Sequence, residues 1–213
     1  MTIKTLVFDF DGVLVESVPI KGQAFVALYQ EESPDIQQQV LAYHEAHGGV
    51  SRFDKIRYYE ALCGRKVDGA GVRMLADRFS AIVEEQVVNA PWVTGAREFL
   101  EEYKGKLPLY VASATPHEEL LRIIEKRAMS SYFNHVYGAP KKKHEALITV
   151  MRIHGCKPQD ILMIGDALTD YEAAQKAGTG FIGRMLPEQA TKFPDGTIQI
   201  KDLTALREFI TMS

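Results

Sequence analysis

Two aspartates one residue apart, Asp9 and Asp11, follow the apolar run Leu6-Val7-Phe8 and precede Gly12. In extended backbone, positions i and i+2 face the same side, so both carboxylates converge where the strand stops. Gly12 then lets the chain turn tightly. Carboxylates held together repel, and one pKa rises, unless a cation or a substrate divides their roles. Mg²⁺ and a phosphate ester would do so. Asp9 is then the nucleophile, and Asp11 the acid that protonates the leaving oxygen and afterwards activates water. An acidic loop closing a strand has the same spacing, so the rest of the chain decides.

Three further groups bear on that choice. Ser113 offers a hydroxyl, and the amides from Ala114 to Thr115-Pro116 are predicted to open a helix, so a phosphate oxygen fits there. Lys141, Lys142 and Lys143 read by themselves as a solvated charge run. Beside an aspartyl nucleophile and a phosphate, however, one ammonium is needed to offset crowded negative charge. Gly165-Asp166, with Asp170 four residues on, places hard oxygens at a helix entrance, a donor set suited to Mg²⁺. Helix N-terminal charge complementarity alone would also place Asp170 there.

The elements that position these groups follow from hydrophobic periodicity. From Glu16 to Asn89 the pattern is helical. Helices are predicted over Lys21 to Glu31, from Ser33-Pro34 with Ile36, Val40 and Tyr43 on one face, from Ser51 with Ile56, Tyr59 and Leu62, and through Val72, Leu75, Phe79, Ile82 and Val83. From Pro91 strands and helices alternate. The predicted strands are Leu107 to Ala112, one ending near Val136-Tyr137, Ile161 to Ile164, Phe181-Ile182 and Thr197 to Ile200. The predicted helices are Ala96 to Tyr103, Thr115 to Met129, His144 to His154, Tyr171 to Ala177 and a last one from Thr204. Alternation of this kind means an α/β fold with a doubly wound parallel sheet. The first strand belongs to that sheet, so the chain is expected to divide into an α/β core, residues 1–15 and 90–213, and an inserted all-helical cap, residues 16–89. Ligands of such sheets bind beyond the carboxyl ends of the strands, where all four groups fall.

Composition excludes other classes. Across 213 residues, 46% hydrophobic content suffices for a core, and a net charge of −3 gives no electrostatic case for nucleic acid or an anionic membrane. No apolar run approaches membrane-spanning length and no signal-peptide pattern opens the chain. Cys63 and Cys156 lack metal-ligand spacing, in keeping with a reducing cytoplasm. The six histidines are scattered, and most are expected on solvated surface. Tyr58 and Tyr59 are expected to pack within the helical insert. Neither a P-loop nor a Gly-x-Gly-x-x-Gly fingerprint is present. A small phosphorylated metabolite is the expected partner, with the chain a monomer or homodimer.

The run Asp9-Phe10-Asp11-Gly12-Val13-Leu14-Val15-Glu16-Ser17, then Ser113, the lysine loop, and Gly165-Asp166-Ala167-Leu168-Thr169-Asp170 resemble the four ordered motifs of the haloacid dehalogenase superfamily. The likeness is to its helical-cap branch, which includes phosphoglycolate phosphatases and β-phosphoglucomutases. The resemblance implies an aspartyl-phosphate mechanism, with Asp9 attacking phosphorus and Asp11 as acid and base. It implies Mg²⁺ held by the Asp9 carboxylate, the Asp11 carbonyl and Asp166, with Asp170 close behind, and the phosphate held by Ser113, a lysine and the backbone at Gly12 and Ala114. Lys143 is favoured, because some relatives carry Pro-x-x-Lys just before the helix; Lys141 is the alternative. The mutases resembled here carry a histidine in the first cap helix where this chain has Lys21, so a phosphatase is favoured and a phosphomutase is the runner-up. Finally, Gly49-Val50-Ser51-Arg52 opens a helix after a break and is similar to the cap loop whose arginine grips a second anionic group. Arg52, helped by Lys21, is expected to read such a group, which the planar fork of a guanidinium suits.

Overall fold

Strand β1 (Thr5–Phe8) is buried on both faces, as a central parallel strand must be. Leu6 and Phe8 face one apolar cluster and Val7 a second on the other side of the sheet. The computed structural model describes residues 3–185 and 192–210. Of the expected core segments, residues 1–2, 186–191 and 211–213 lie outside the described residues.

After β1 come four helices, α1 (Val18–Leu28), α2 (Pro34–Ala46), α3 (Arg52–Leu62) and α4 (Gly69–Asn89). The caps read from sequence are present: Ser33 Oγ accepts from the Ile36 amide and Ser51 Oγ from the Asp54 amide. Helix α5 (Ala96–Tyr103) leads to β2 (Leu109–Pro116), α6 (His117–Lys126) and β3 (His135–Ala139). Then α7 (Lys143–His154), β4 (Ile161–Gly165), α8 (Leu168–Ala177), β5 (Gly180–Arg184) and β6 (Gln199–Ile200) follow. The described strands form one parallel sheet in the order β3-β2-β1-β4-β5-β6. The chain winds outward in one direction through β2 and β3, then returns beside β1 to wind the other way. The switch between β1 and β4 opens a crevice at the strands' carboxyl ends.

Several elements differ from the sequence reading, among them α8, which opens at Leu168 rather than Tyr171, and β6, which is only Gln199–Ile200. The first helix begins at Val18 and stops at Leu28, since Pro19 sits comfortably in a first turn. Strand β2 continues to Pro116, so the helix after Ser113 opens only at His117. The last predicted helix is a 3₁₀ segment, Leu203–Phe209.

The two crossings between the α/β core and the helical insert run side by side. The Glu16 amide donates to Pro91 O at 2.9 Å, and the Val93 amide to Leu14 O at 3.0 Å. Phe25, Tyr59 and Phe79 of the insert share one continuous apolar cluster with Phe8, Leu14 and Phe99. Tyr43, Tyr58 and Tyr59 pack against one another within the insert, as expected.

Candidate active site

Asp9 stands immediately beyond β1, anchored because its amide donates to Ile164 O of β4 at 2.8 Å. Its carboxylate accepts from the Phe10 amide at 2.7 Å and from Lys143 Nζ at 2.7 Å. Lys143 opens α7, and its ammonium also donates to Asp170 Oδ1 at 2.5 Å. The three lysines therefore separate. Lys143 is buried between two carboxylates. Lys141 donates to Thr149 and lies over the Tyr137 ring, and Lys142 is the N-cap of α7.

Asp11 is held differently. Lys21 Nζ donates to its Oδ2 at 2.5 Å, Thr115 Oγ1 donates to the same oxygen at 3.0 Å, and Ser17 Oγ donates to Oδ1 at 2.6 Å. Thr115 thus serves the site rather than capping a helix, while Ser113 Oγ accepts from the Thr115 amide at 3.1 Å. Burial alone would raise the Asp11 pKa, but the Lys21 ammonium and these three hydrogen bonds hold it below the usual carboxylate range. Burial pushes Asp9 the other way, to about 7, helped by Asp170 and Asp11 and opposed by Lys143. The paired aspartates therefore have their affinities for a proton driven apart by their neighbours.

Asp166 and Asp170 come from the β4–α8 turn. Asp170 folds back so that its Oδ2 accepts from the Ala167 amide at 3.1 Å. Asp9, Asp166 and Asp170 present carboxylate oxygens within 4.8 Å of one another, all buried. Among the described residues the Asp166 carboxylate accepts no hydrogen bond, and burial together with Asp9 and Asp170 raises its pKa well above the usual range. Gly12, at φ +72°, lies against it so closely that a Cβ would collide with the Asp166 carboxyl. Three buried hard carboxylates, one without a hydrogen-bond donor, form a donor set that a small divalent cation fits.

Arg52, expected to read a second anionic group, lines the cavity with its guanidinium engaged by other side chains. Its guanidinium forms a two-pronged pair with Glu119 of α6, at 2.7 and 2.5 Å, and donates to Ser80 Oγ at 2.5 Å. Both side chains are almost wholly buried, and the fork is filled. Lys21, expected to help it read a distal anion, is taken by Asp11 and Thr115 instead. Spacing showed that Arg52 opens a helix; it did not show that a glutamate on a distant helix waits opposite.

Three buried polar groups escaped the sequence reading. His44, expected on the surface like most histidines, is buried, and burial with nearby Lys55 and Lys21 lowers its pKa to about 3. Lys55 donates to His44 Nδ1 at 3.1 Å and to His44 O at 3.4 Å. Burial and the Lys21 charge lower its pKa to about 7. Arg184, at the end of β5, pairs with Glu16 and donates to Gly12 O at 2.8 Å, bracing the turn after Asp11. A signal for Lys55 existed: with Arg52, Ile56 and Tyr59 it occupies the buried stripe of α3.

The switch point of the parallel sheet carries an aspartate beside a lysine, a second aspartate two residues on and a carboxylate pair from a neighbouring strand. The chain matches the haloacid dehalogenase-like hydrolase family over residues 6–184 and belongs to it. It is similar to the phosphoglycolate phosphatase of Chromobacterium violaceum, 26% identical over 194 residues and 84% of each chain. Against that of Escherichia coli K12 it is 27% identical over 205 residues, 85% of this chain and 81% of the other. Its fold is shared with a magnesium-bound HAD-hydrolase of Bacillus subtilis, at TM-score 0.74, 18% identity and 99% of both chains. It is shared also with β-phosphoglucomutase of Clostridium difficile, at TM-score 0.74 and 15% identity over 96% and 93% of the chains.

Proposed function

We propose that this hydrolase is a Mg²⁺-dependent phosphatase that cleaves a small phosphorylated metabolite through a phosphoryl group carried on Asp9. The carrying observation is the division of labour between Asp9 and Asp11: one carboxylate faces a lysine in the crevice, the other is held by Lys21, Ser17 and Thr115. In this reading Asp9 Oδ attacks phosphorus as the ester oxygen departs, and Asp11 supplies that oxygen with a proton. Asp11 then removes a proton from the water that attacks the phosphoryl-aspartate, which returns Asp9 and releases phosphate. Asp11 is held ionised here, the form that activates water, so to act as acid it first takes up a proton, which a phosphate ester arriving as its monoanion supplies. Lys143 offsets charge as nucleophile and phosphate approach, and Ser113 with the Ala114 amide receives a phosphate oxygen.

Mg²⁺ would be held by Asp9, Asp166 and the Asp11 carbonyl, with Asp170 behind, and would supply charge neutralisation for the incoming phosphate. The helical insert acts as a cap that covers the ester and excludes bulk water, with hinges at residues 15–19 and 88–93. Thr169 Oγ1 donates to Gly48 O at 3.3 Å, and a Cβ on Gly49 would run into Thr169, so the loop before α3 rests on the entrance of α8. Lys21 stands where the resembled mutases have a histidine, and its ammonium is committed to Asp11, which favours hydrolysis over phosphoryl return to a sugar. Phosphate release from p-nitrophenyl phosphate with Mg²⁺, with EDTA, and by Asp9→Asn tests the reading. Turnover only by the unaltered chain with Mg²⁺ is expected; undiminished turnover by Asp9→Asn would refute it.

A further inference from the structure

Four lysine and arginine side chains of the described residues are buried: Arg52, Lys55, Lys143 and Arg184. Three have a carboxylate in contact. Arg52 has Glu119, Lys143 has Asp9 and Asp170, and Arg184 has Glu16. Lys55, 3% exposed, has none; its bonds go to a neutral histidine ring and a carbonyl. An ammonium removed from water without a counter-charge is destabilising, because the hydration it loses is not replaced. An ammonium has three donors. Two are directed by His44, which leaves one.

Where that donor can go follows from the surroundings. Lys55 lines the same cavity as Asp9, Asp11, Ser113 and Asp166, and the cavity measures about 80 Å³. The rings of Phe25 and Phe79 form part of its wall, so a charge inside is poorly screened and attraction to a fixed ammonium is strong. His44 accepts from Lys55 at Nδ1, which requires the neutral ring and points the ammonium rather than competing with it. Of the other cations lining the cavity, Arg52 and Lys21 are already paired, and Lys192 donates to Glu45 O at the rim.

We propose that Lys55, oriented by His44, binds a carboxylate carried by the phosphate ester and so selects the substrate. The inference rests on the phosphatase reading of the same site. A carboxylate is favoured over a second phosphate because one ammonium matches one negative charge. The substrate class is therefore a small phosphate monoester of a hydroxy acid. Arg52, which its sequence position would nominate for this task, supports the fold instead.

Two esters of nearly equal size isolate the carboxylate: 2-phosphoglycolate and 2-hydroxyethyl phosphate, assayed by phosphate release with Mg²⁺. The unaltered chain is expected to favour the first in kcat/KM by about 10–100-fold, the worth of a hydrogen bond between charged groups. Lys55→Met and Lys55→Gln are each expected to erase that preference, with the loss falling on KM for 2-phosphoglycolate. Hydrolysis of neither ester by the unaltered chain would overturn the phosphatase reading and this inference with it. Hydrolysis without a preference, or a preference that survives in both variants, would overturn the role of Lys55 alone. Faster cleavage of ethanediol bisphosphate than of 2-phosphoglycolate would overturn the choice of a carboxylate.

Discussion

Arg52→Ala separates a structural arginine from a substrate-reading one. The guanidinium is 5% and the carboxylate 4% exposed, so truncation leaves Glu119 a buried charge with no counter-charge, bonded only by the Ser80 hydroxyl. Removing one member of a buried pair typically costs ~3–5 kcal/mol. For a chain of this length that lowers Tm by roughly 6–20 °C. Removing both charges at equal volume, as Arg52→Met with Glu119→Leu, should recover most of the loss, because desolvation of the pair is then avoided as well. Urea denaturation of the parent, Arg52→Met, Glu119→Leu and the double variant forms a double-mutant cycle, and the coupling should exceed about 1 kcal/mol, as for residues in direct contact. A coupling near zero would mean the contact between α3 and α6 is absent in solution, and the assignment of Arg52 to the fold would fall. If, with stability unchanged, Arg52→Ala raised KM for an anionic ester and left p-nitrophenyl phosphate cleavage intact, Arg52 would be the substrate reader after all.

Three further outcomes are expected. Asp11→Asn should slow turnover by ~10²–10⁴-fold, and more for alkyl than for p-nitrophenyl esters, since nitrophenolate leaves without a proton; steady-state rates on both esters check this. In EDTA, Asp166→Asn should be more stable than the parent at pH 8 but not at pH 4. The raised Asp166 pKa means stability present below the unfolded value of 3.8 is lost as pH rises through the folded one. Saturating Mg²⁺, worth ~2.7 kcal/mol at a hundredfold excess over Kd, should stabilise the parent and leave the variant largely unmoved in urea titrations. Lys55→Met should remove a pH slope. With the Lys55 pKa lowered from 10.5 to about 7, the unfolded chain binds the extra proton between those values, so the parent gains stability as pH rises through that window. The difference between the two proteins should be largest at pH 7 and below, on the order of a few kcal/mol, and vanish by pH 11.

The residues legible in the sequence are those whose position is set by the strand they end. Asp9, Asp11, Ser113 and Asp166 each follow an apolar run, and a parallel sheet delivers the ends of its strands to one edge whatever the loops between them do. Lys143 was narrowed to three neighbours by the same logic. Resemblance favoured it over Lys141, and the first turn of α7 points it inward while Lys142 serves as the cap. What could not be read is pairing between elements far apart in the chain. Arg52 and Glu119 are 67 residues apart, Arg184 and Glu16 are 168 apart, and no local pattern records either. His44 fell between the two cases: it lies on the buried stripe of α2 one turn after Val40, but a histidine on a mostly polar helix carries little hydrophobic signal. The 3₁₀ character of Leu203–Phe209 was illegible for another reason, since its apolar spacing suits either helix.

Charge accounting links the catalytic reading to the selection of substrate. Asp9, Asp11, Asp166 and Asp170 bring four carboxylates to the crevice, and Lys143 and Lys21 bring two ammonium groups in contact with them. With all four ionised, as a bound divalent cation would make them, two negative charges are left over, the amount that cation cancels. A phosphate ester arriving at such a site therefore meets little net attraction from the groups that carry out the chemistry. Affinity has to come from cations not already spoken for, and of the buried ones only Lys55 lacks a carboxylate among the described residues. Selection by a group remote from phosphorus is also what catalysis favours: binding energy gained at the far end of the substrate orients the near end without stabilising the ground state of the reacting bond. In this reading the carboxylates and the metal they would hold set the reaction, and the Lys55 ammonium sets which ester undergoes it.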